Sequence, residues 1–203
     1  MTDSQTAAKP ARSAKPAKPR AASKRERLAL AAAEVFHQQG VERTTLNDIA
    51  RAADVPLGNV YYYFKTKDQL VEAALAAHRD QVAEITGELD VLPEPAERLK
   101  ALIAFWVDQR EIAARWGCPF GTLASELDKR EGGLDKSAAD VLWVLIRWVE
   151  EQFRQMGRAD APDLAVELVA AYQGMSVLAN ALRDPEVMTA RGRRLADWID
   201  SLA

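Results

Sequence analysis

Cysteine is nearly absent from this chain of 203 residues, and the one present, Cys118, excludes an internal disulfide. That usage fits a reducing compartment. Histidine is scarce too: His37 and His78 stand apart, no cluster has the spacing of metal ligands, and no metal is expected. No apolar run reaches membrane-spanning length, since the densest, Val141 to Ile146, is closed by Asp140 and Arg147. The start of the chain lacks the apolar stretch of a secretory signal, so a cytoplasmic protein without membrane contact is expected. There is no nucleophile with a supporting base, no carboxylate pair in context and no phosphate-cradling glycine loop. Ser125 and Glu126 are neighbours and therefore point apart. Neither catalysis nor a cofactor is expected. Period-two alternation and internal repeats are also missing, which leaves an all-α reading.

What the chain does have is apolar mass and an uneven charge. Hydrophobic residues make up 48% of it, enough for a sizeable core. The net charge of −3 hides an asymmetry: residues 1–80 carry 13 Lys plus Arg against 9 Asp plus Glu, and the remainder carries 14 against 21. Residues 1–22 are Ala, Lys, Pro and Ser with no large apolar side chain, so they read as a disordered basic arm, either reaching DNA or only aiding solubility.

The most specific stretch is Thr44 to Lys67, TTLNDIARAADVPLGNVYYYFKTK. Thr45 can cap a helix that starts at Leu46, with Asp48 placed to complete a capping box. Leu46, Ile49, Ala50 and Ala53 make one narrow apolar face. Asp54 tolerates a left-handed turn, and Pro56 can begin a helix but not continue one. A second helix from Pro56 to about Tyr63 is too short to stand alone, and Val60 and Phe64 supply its inner contact. Leu57, Asn59, Tyr61 and Tyr62 are left outward, where hydroxyls reach phosphates and an amide reads a base edge. Thr44, Thr45, Pro56 and Lys67 complete the expected DNA-facing set, Lys67 because a cation at a helix start favours a bound anion. The alternative is an aromatic core hairpin, which three consecutive tyrosines pointing in three directions oppose.

With AAAEVFHQQG (Ala31 to Gly40), TTLNDIA and GNVYYYFKTKDQL in succession, the chain resembles the TetR family of bacterial transcriptional regulators from Arg27 to about Ala77. It departs from that pattern at Asp54, where glycine is usual, and at Leu57, where a polar or basic residue is frequent. The resemblance implies an all-helical homodimer on double-stranded DNA at a palindromic operator, acting as a repressor released by a small hydrophobic or electrophilic effector. Two alternatives are a DNA-binding structural protein without ligand response and a helical enzyme. The implied organisation is a basic arm (1–22), a DNA-binding domain (23–84, motif about 46–65) and a ligand-binding and dimerisation domain (85–203).

Further along, helices are expected from Ser23 or Lys24 to Gln39, after Lys67 as a connector, and from Ala96 to about Trp116 beyond a break at Pro93 and Pro95. Others should run from Thr122 to Lys129, from Ser137 to Met156 past a Gly132–Gly133 loop, from Asp163 to Leu182, and from Pro185 to near Leu202. The helices from Ser137 and Asp163 are apolar on more than one face, so each needs its own core and a second partner. A second copy meets that need, with Val141, Leu145, Trp148, Leu178 and Leu182 assigned to the interface; a filled monomer core is the alternative. Phe105, Trp106, Trp116, Phe120, Trp143, Tyr172 and Met175 suit a core or a pocket wall, and the resemblance assigns them to a ligand site. Cys118 joins them. If Pro119 opens a short helix, Cys118 is its N-cap and the helix dipole favours thiolate. Gly117, Cys118, Gly121, Leu123, Glu126 and Leu127 also resemble a subset of these regulators, some responding to electrophiles through that cysteine. The alternative is a small buried residue under Trp116.

Overall fold

The computed structural model describes residues 22–128 and 134–202, and the expected basic arm (residues 1–21 of it) and the Gly132–Gly133 loop lie outside that range. The described residues form ten helices and no strand: α1 (Lys24–Gln39), α2 (Leu46–Ala52), α3 (Leu57–Tyr63), α4 (Lys67–Leu89), α5 (Pro95–Asp108), α6 (Arg110–Trp116), α7 (Pro119–Leu127), α8 (Leu134–Gln155), α9 (Ala161–Leu182) and α10 (Glu186–Leu202).

Local chemistry explains the first four. Ser23 caps α1 in a reciprocal capping box with Glu26, and Thr45 does the same for α2 with Asp48. Thr66 caps α4. Leu28, Ala32 and Phe36 of α1 meet Ile49 and Ala50 of α2, Val60 of α3 and Leu70, Val71 and Ala74 of α4 in one continuous core. The stripe on α4 continues through Leu75 and His78 to Val82 and Thr86, so the same helix serves the head and the body. α4 crosses residues 84–85 without a break and ends at Leu89, with Asp90 as its C-cap.

The turn before α5 is held by Arg98, whose guanidinium donates to the Leu92 carbonyl at 2.7 Å and to Gln152 and Gln155 on α8. In the body, α6, α8 and α10 pack against α9. α10 crosses α5 at Gly192, where an added Cβ would come within 2.3 Å of Val107.

The single helix expected from Ala96 to Trp116 is two helices. At Gln109 the backbone turns to ψ 10°, and its N–H is shared among the carbonyls of Phe105, Trp106 and Val107. The cause is tertiary, because α5 packs on α8 and α10 while α6 packs on α9. α7 starts at Pro119 rather than Thr122, proline taking the first helical position. α9 is, by length and composition, apolar enough to cross a membrane, which the reading of the sequence missed; 44% of its most apolar stretch is buried inside the protein.

Candidate functional site

The head is a capped helix, a sharp turn and a second short helix. Thr45 Oγ1 accepts from the Asp48 amide at 3.2 Å and donates to Asp48 Oδ2 at 2.6 Å, and Asp48 also binds Arg51 at 2.7 Å. These bonds to Thr45, then the one to Arg51, hold the Asp48 carboxyl below its usual pKa. The turn is a Schellman motif: the Val55 amide donates to the Ala50 carbonyl and the Asp54 amide to the Arg51 carbonyl. Asp54 occupies the left-handed position at φ 50°, as expected for the residue standing where glycine is usual. Arg27 of α1 donates to the Asp54 carbonyl at 2.7 Å and also to that of Ala53, stitching the turn to the head.

α3 hangs on two anchors. Val60 and Phe64 are buried, and the Arg25 guanidinium lies 5.2 Å from the centre of the Phe64 ring. Burying such side chains contributes about 1.5–3 kcal/mol each, enough to hold a helix of seven residues that water alone would melt. Its other face is open: Tyr62 is 73% exposed, Tyr61 52% and Leu57 38%. Pro56 is exposed at the N-cap, Asn59 is half-buried, and Tyr63 packs against the core. Lys67 at the start of α4 donates to the Glu42 carbonyl at 3.2 Å, leaving two of its three protons for other acceptors.

Two members of the expected DNA-facing set need revision. Thr44 is 2% exposed, and its hydroxyl donates to the Gly40 carbonyl at 2.6 Å, so its side chain closes the α1–α2 turn rather than facing a phosphate. Thr45 is exposed, but its hydroxyl and amide are both committed to Asp48. Arg43 and Lys65, overlooked in the sequence, are exposed cations flanking the motif, with Lys65 also donating to the Tyr61 carbonyl at 2.8 Å. Their only signal was position beside the motif.

Behind the head, a cleft of about 1230 Å³ runs along α1 and α4 into the body. Of the aromatic set, Phe105, Trp106, Trp116, Phe120 and Tyr172 line it. Trp106 stacks on Tyr172 with ring centres 4.3 Å apart. Trp143, Cys118 and Met175 do not line it: Trp143 is 50% exposed on the outside of α8, and the other two are buried. Cys118 is the N-cap of α7, its Sγ accepting from the Gly121 amide and from Gln173 at 3.4 Å each, so the expected cap coexists with the alternative of a buried residue. His78 and His37 also line the cleft, unanticipated because isolated histidines carry no pattern. Burial lowers the pKa of both, that of His78 to about 4, so both rings are neutral at pH 7.

The cleft is joined to the head by two ties. Glu126 of α7 accepts from the amides of Val41 and Glu42 at 2.9 Å each, reaching across to the α1–α2 turn. A side chain at Gly40, where φ is 82°, would press on that carboxylate at 3.1 Å. His37 Nε2 lies 2.9 Å from the Gly117 carbonyl, and its ring meets Trp116 edge-on.

On the far side of the body, α9 exposes Val166, Val177, Leu178 and Leu182, with Leu182 at 64%. Of the residues assigned to an interface between copies, Leu178 and Leu182 lie on this face. Val141 and Leu145 do not, being buried in the protein's own core, and Trp148 is partly buried with Nε1 donating to Asp90 at 3.0 Å. Trp143 is the large apolar residue that α8 does expose. Because α8 is apolar almost all round between Val141 and Val149, periodicity could not say which side faced inward.

Two family models match the chain: bacterial regulatory proteins of the tetR family over residues 29–74, and a tetracyclin repressor-like C-terminal domain over residues 95–195. The HTH-type transcriptional repressor KstR2 of Mycolicibacterium smegmatis is 38% identical over 85 residues, covering 40% of each chain. The chain therefore spans less than half of that repressor's length. The HTH-type transcriptional regulator LmrA of Bacillus subtilis is 26% identical over 146 residues, 68% of this chain and 74% of LmrA. In fold, the chain is similar to a TetR transcriptional regulator from Legionella pneumophila, with TM-score 0.77 and 18% identity over 89% of this chain and 97% of that one. A TetR transcriptional regulator from Chloroflexus aurantiacus gives 0.72 at 25% identity, over 87% of this chain and 94% of the other.

Proposed function

This chain belongs to the TetR family of bacterial regulatory proteins, and from that premise we propose that it is a sequence-specific DNA-binding transcriptional repressor, a homodimer released from a two-fold symmetric operator by a small molecule in the cleft. The observation that carries this reading is α3: a helix of seven residues, pinned from behind by Val60 and Phe64, that turns Leu57, Tyr61 and Tyr62 to solvent. Phenol hydroxyls on an exposed helix suit phosphates, and Asn59 beside them suits a base edge. The apolar face of α9, with Trp143, covers itself against a second copy, which presents two heads as a symmetric operator requires.

Release follows from the ties. Glu126 and His37 bind the head to the α6–α7 corner, where Trp116, Gly117 and Phe120 also line the cleft. A ligand that displaces this corner moves the α1–α2 turn of each head. It shifts the equilibrium only by its differential affinity for the two arrangements.

The test is selection of genomic fragments by the purified protein, followed by titration of the recovered duplex. Lys67→Ala is expected to weaken specific and random DNA alike and to lower the salt slope by about one, whereas Asn59→Ala relaxes preference at one base pair. Unchanged binding by both variants would contradict docking through α3.

A further inference from the structure

The inner end of the cleft holds a polar atom without a partner. His78 Nε2 is buried on a side chain only 6% exposed and makes no hydrogen bond of ordinary geometry among the described residues, although the Gln81 side chain, which also lines the cleft, lies close enough to oppose the lowering of the ring's pKa. A buried imidazole nitrogen left unpaired opposes folding, so its retention at a cavity wall points to something that pairs with it there. We propose that the inner end of the cleft binds an uncharged, planar aromatic molecule through a hydroxyl group that hydrogen-bonds His78 Nε2, a proposal that rests on the reading of this cleft as the effector site.

Three features define that ligand class. The first is shape. Trp106 and Tyr172 are stacked on each other with their planes 15° apart, so the pair offers the cleft an outer ring face or edge, while Phe120 meets the His78 ring edge-on at 5.1 Å. A planar ring system matches such surfaces by offset stacking and edge contacts. The second is charge. The Asp, Glu and Arg side chains lining the cleft all sit on α1 and α4 and are solvent-exposed, whereas Trp106, Tyr172 and His78 are buried. Burial keeps His78 neutral and raises the Tyr172 phenol well above its ordinary pKa, so neither supplies a counter-charge at pH 7. An ionised ligand would lose its hydration there with nothing to replace it. The third is the polar handle. Which ring nitrogen carries the proton depends on the tautomer, and a hydroxyl meets either form because it both donates and accepts.

The proposal is tested by equilibrium dialysis of the full chain at pH 7 with 2-naphthol, naphthalene and 2-naphthoate, which share a frame and differ in the handle. The expected order places 2-naphthol about tenfold tighter than naphthalene, the worth of one hydrogen bond to a buried group, with 2-naphthoate weaker than 2-naphthol. In His78→Leu the advantage of the hydroxyl disappears while naphthalene binds as before. His78→Gln, which keeps a donor and an acceptor, restores part of it and guards against a folding artefact. Equal binding of 2-naphthol and naphthalene, an advantage that survives in His78→Leu, tightest binding of 2-naphthoate, or no saturable binding of any probe would each overturn the proposal. Operator release is measured separately with the same probes. The expected order of binding without release would support the site and overturn the effector reading.

Discussion

The head and the body of this protein differ in what they leave unmet. In the head, the amides at the starts of α1 and α2 have side-chain caps, the turn carbonyls have Arg27, and the exposed aromatic residues Tyr61 and Tyr62 carry hydroxyls. In the body, α9 exposes Val166, Val177, Leu178 and Leu182, which have no polar atoms, and His78 keeps an unpaired nitrogen inside a cleft. Both regions expose aliphatic side chains, Leu30 and Leu57 among them in the head, and what separates the two is the pair of phenols on α3. An amphipathic aromatic face suits a hydrated, charged groove, while an aliphatic face suits only another aliphatic face.

The strongest way to break this contrast is on α9. Val177→Glu combined with Leu178→Glu places two charges on the exposed aliphatic face without touching the protein's own core. Sedimentation is expected to show a folded monomer, and operator affinity should fall at least about a hundredfold, since desolvating unpaired charges in an interface costs several kcal/mol. Leu145→Glu is no substitute, because Leu145 is a core residue. An unaltered dimer in the double variant would remove α9 from the interface.

Next in size is the buried imidazole. His78 has its pKa lowered to about 4 by burial, from 6.5. The unfolded chain takes up the proton first, so the stability linked to neutral His78 is full above about pH 6.5 and lost as pH falls toward 4. The loss is on the order of 3 kcal/mol from this group, and lowering of the His37 pKa adds in the same direction. Denaturant titrations across this window should therefore show steep acid destabilisation. His78→Leu should flatten the curve and be at least as stable as the parent at pH 7. A curve of the same steepness in His78→Leu would show that the acid sensitivity arises elsewhere.

The link between the regions is smaller and more local. Glu126→Ala removes the acceptor for the Val41 and Glu42 amides, and about 2 kcal/mol of stability is expected to go with it. Hydrogen exchange should accelerate at these two amides and much less at Val60 or Leu70. Uniform acceleration through the chain would argue for global loosening instead of a severed tie. The smallest effect is at the turn: Asp54→Gly relieves a left-handed backbone at φ 50° and should raise stability by about 0.5–1 kcal/mol, because the Arg27 bonds to the main-chain carbonyls survive. A drop in the melting midpoint would mean that the Arg27–Asp54 ion pair outweighs the strain.

The same contrast decides how much was legible beforehand. α2, the turn and α3 could be read from residues 44–67 because their causes are local: a threonine cap, an acid three residues on, a residue that tolerates positive φ, and proline. Cys118 as the cap of α7 was readable for that reason too. The break at Gln109 was not, since neither glycine nor proline marks it and the helices packed on either side impose it. Nor could periodicity in α8 tell that Val141 and Leu145 face inward while Trp143 faces out. Arg27 and Glu126 act across 26 and 85 residues, and no local pattern announces such partners. Thr44 was misplaced because a threonine beside a helix start reads as exposed, whereas here its hydroxyl folds back on the Gly40 carbonyl.

The central claim is that two copies, joined through the aliphatic face of α9, present two α3 helices to one duplex. Sedimentation of the full chain with a duplex recovered by genomic selection, combined with a footprint on the same DNA, tests it directly. Two chains per duplex are expected, protecting two symmetric half-sites whose centres lie about 34–36 Å apart or a whole number of turns beyond that. One chain per duplex, or equal binding to any sequence without a defined footprint, would contradict it.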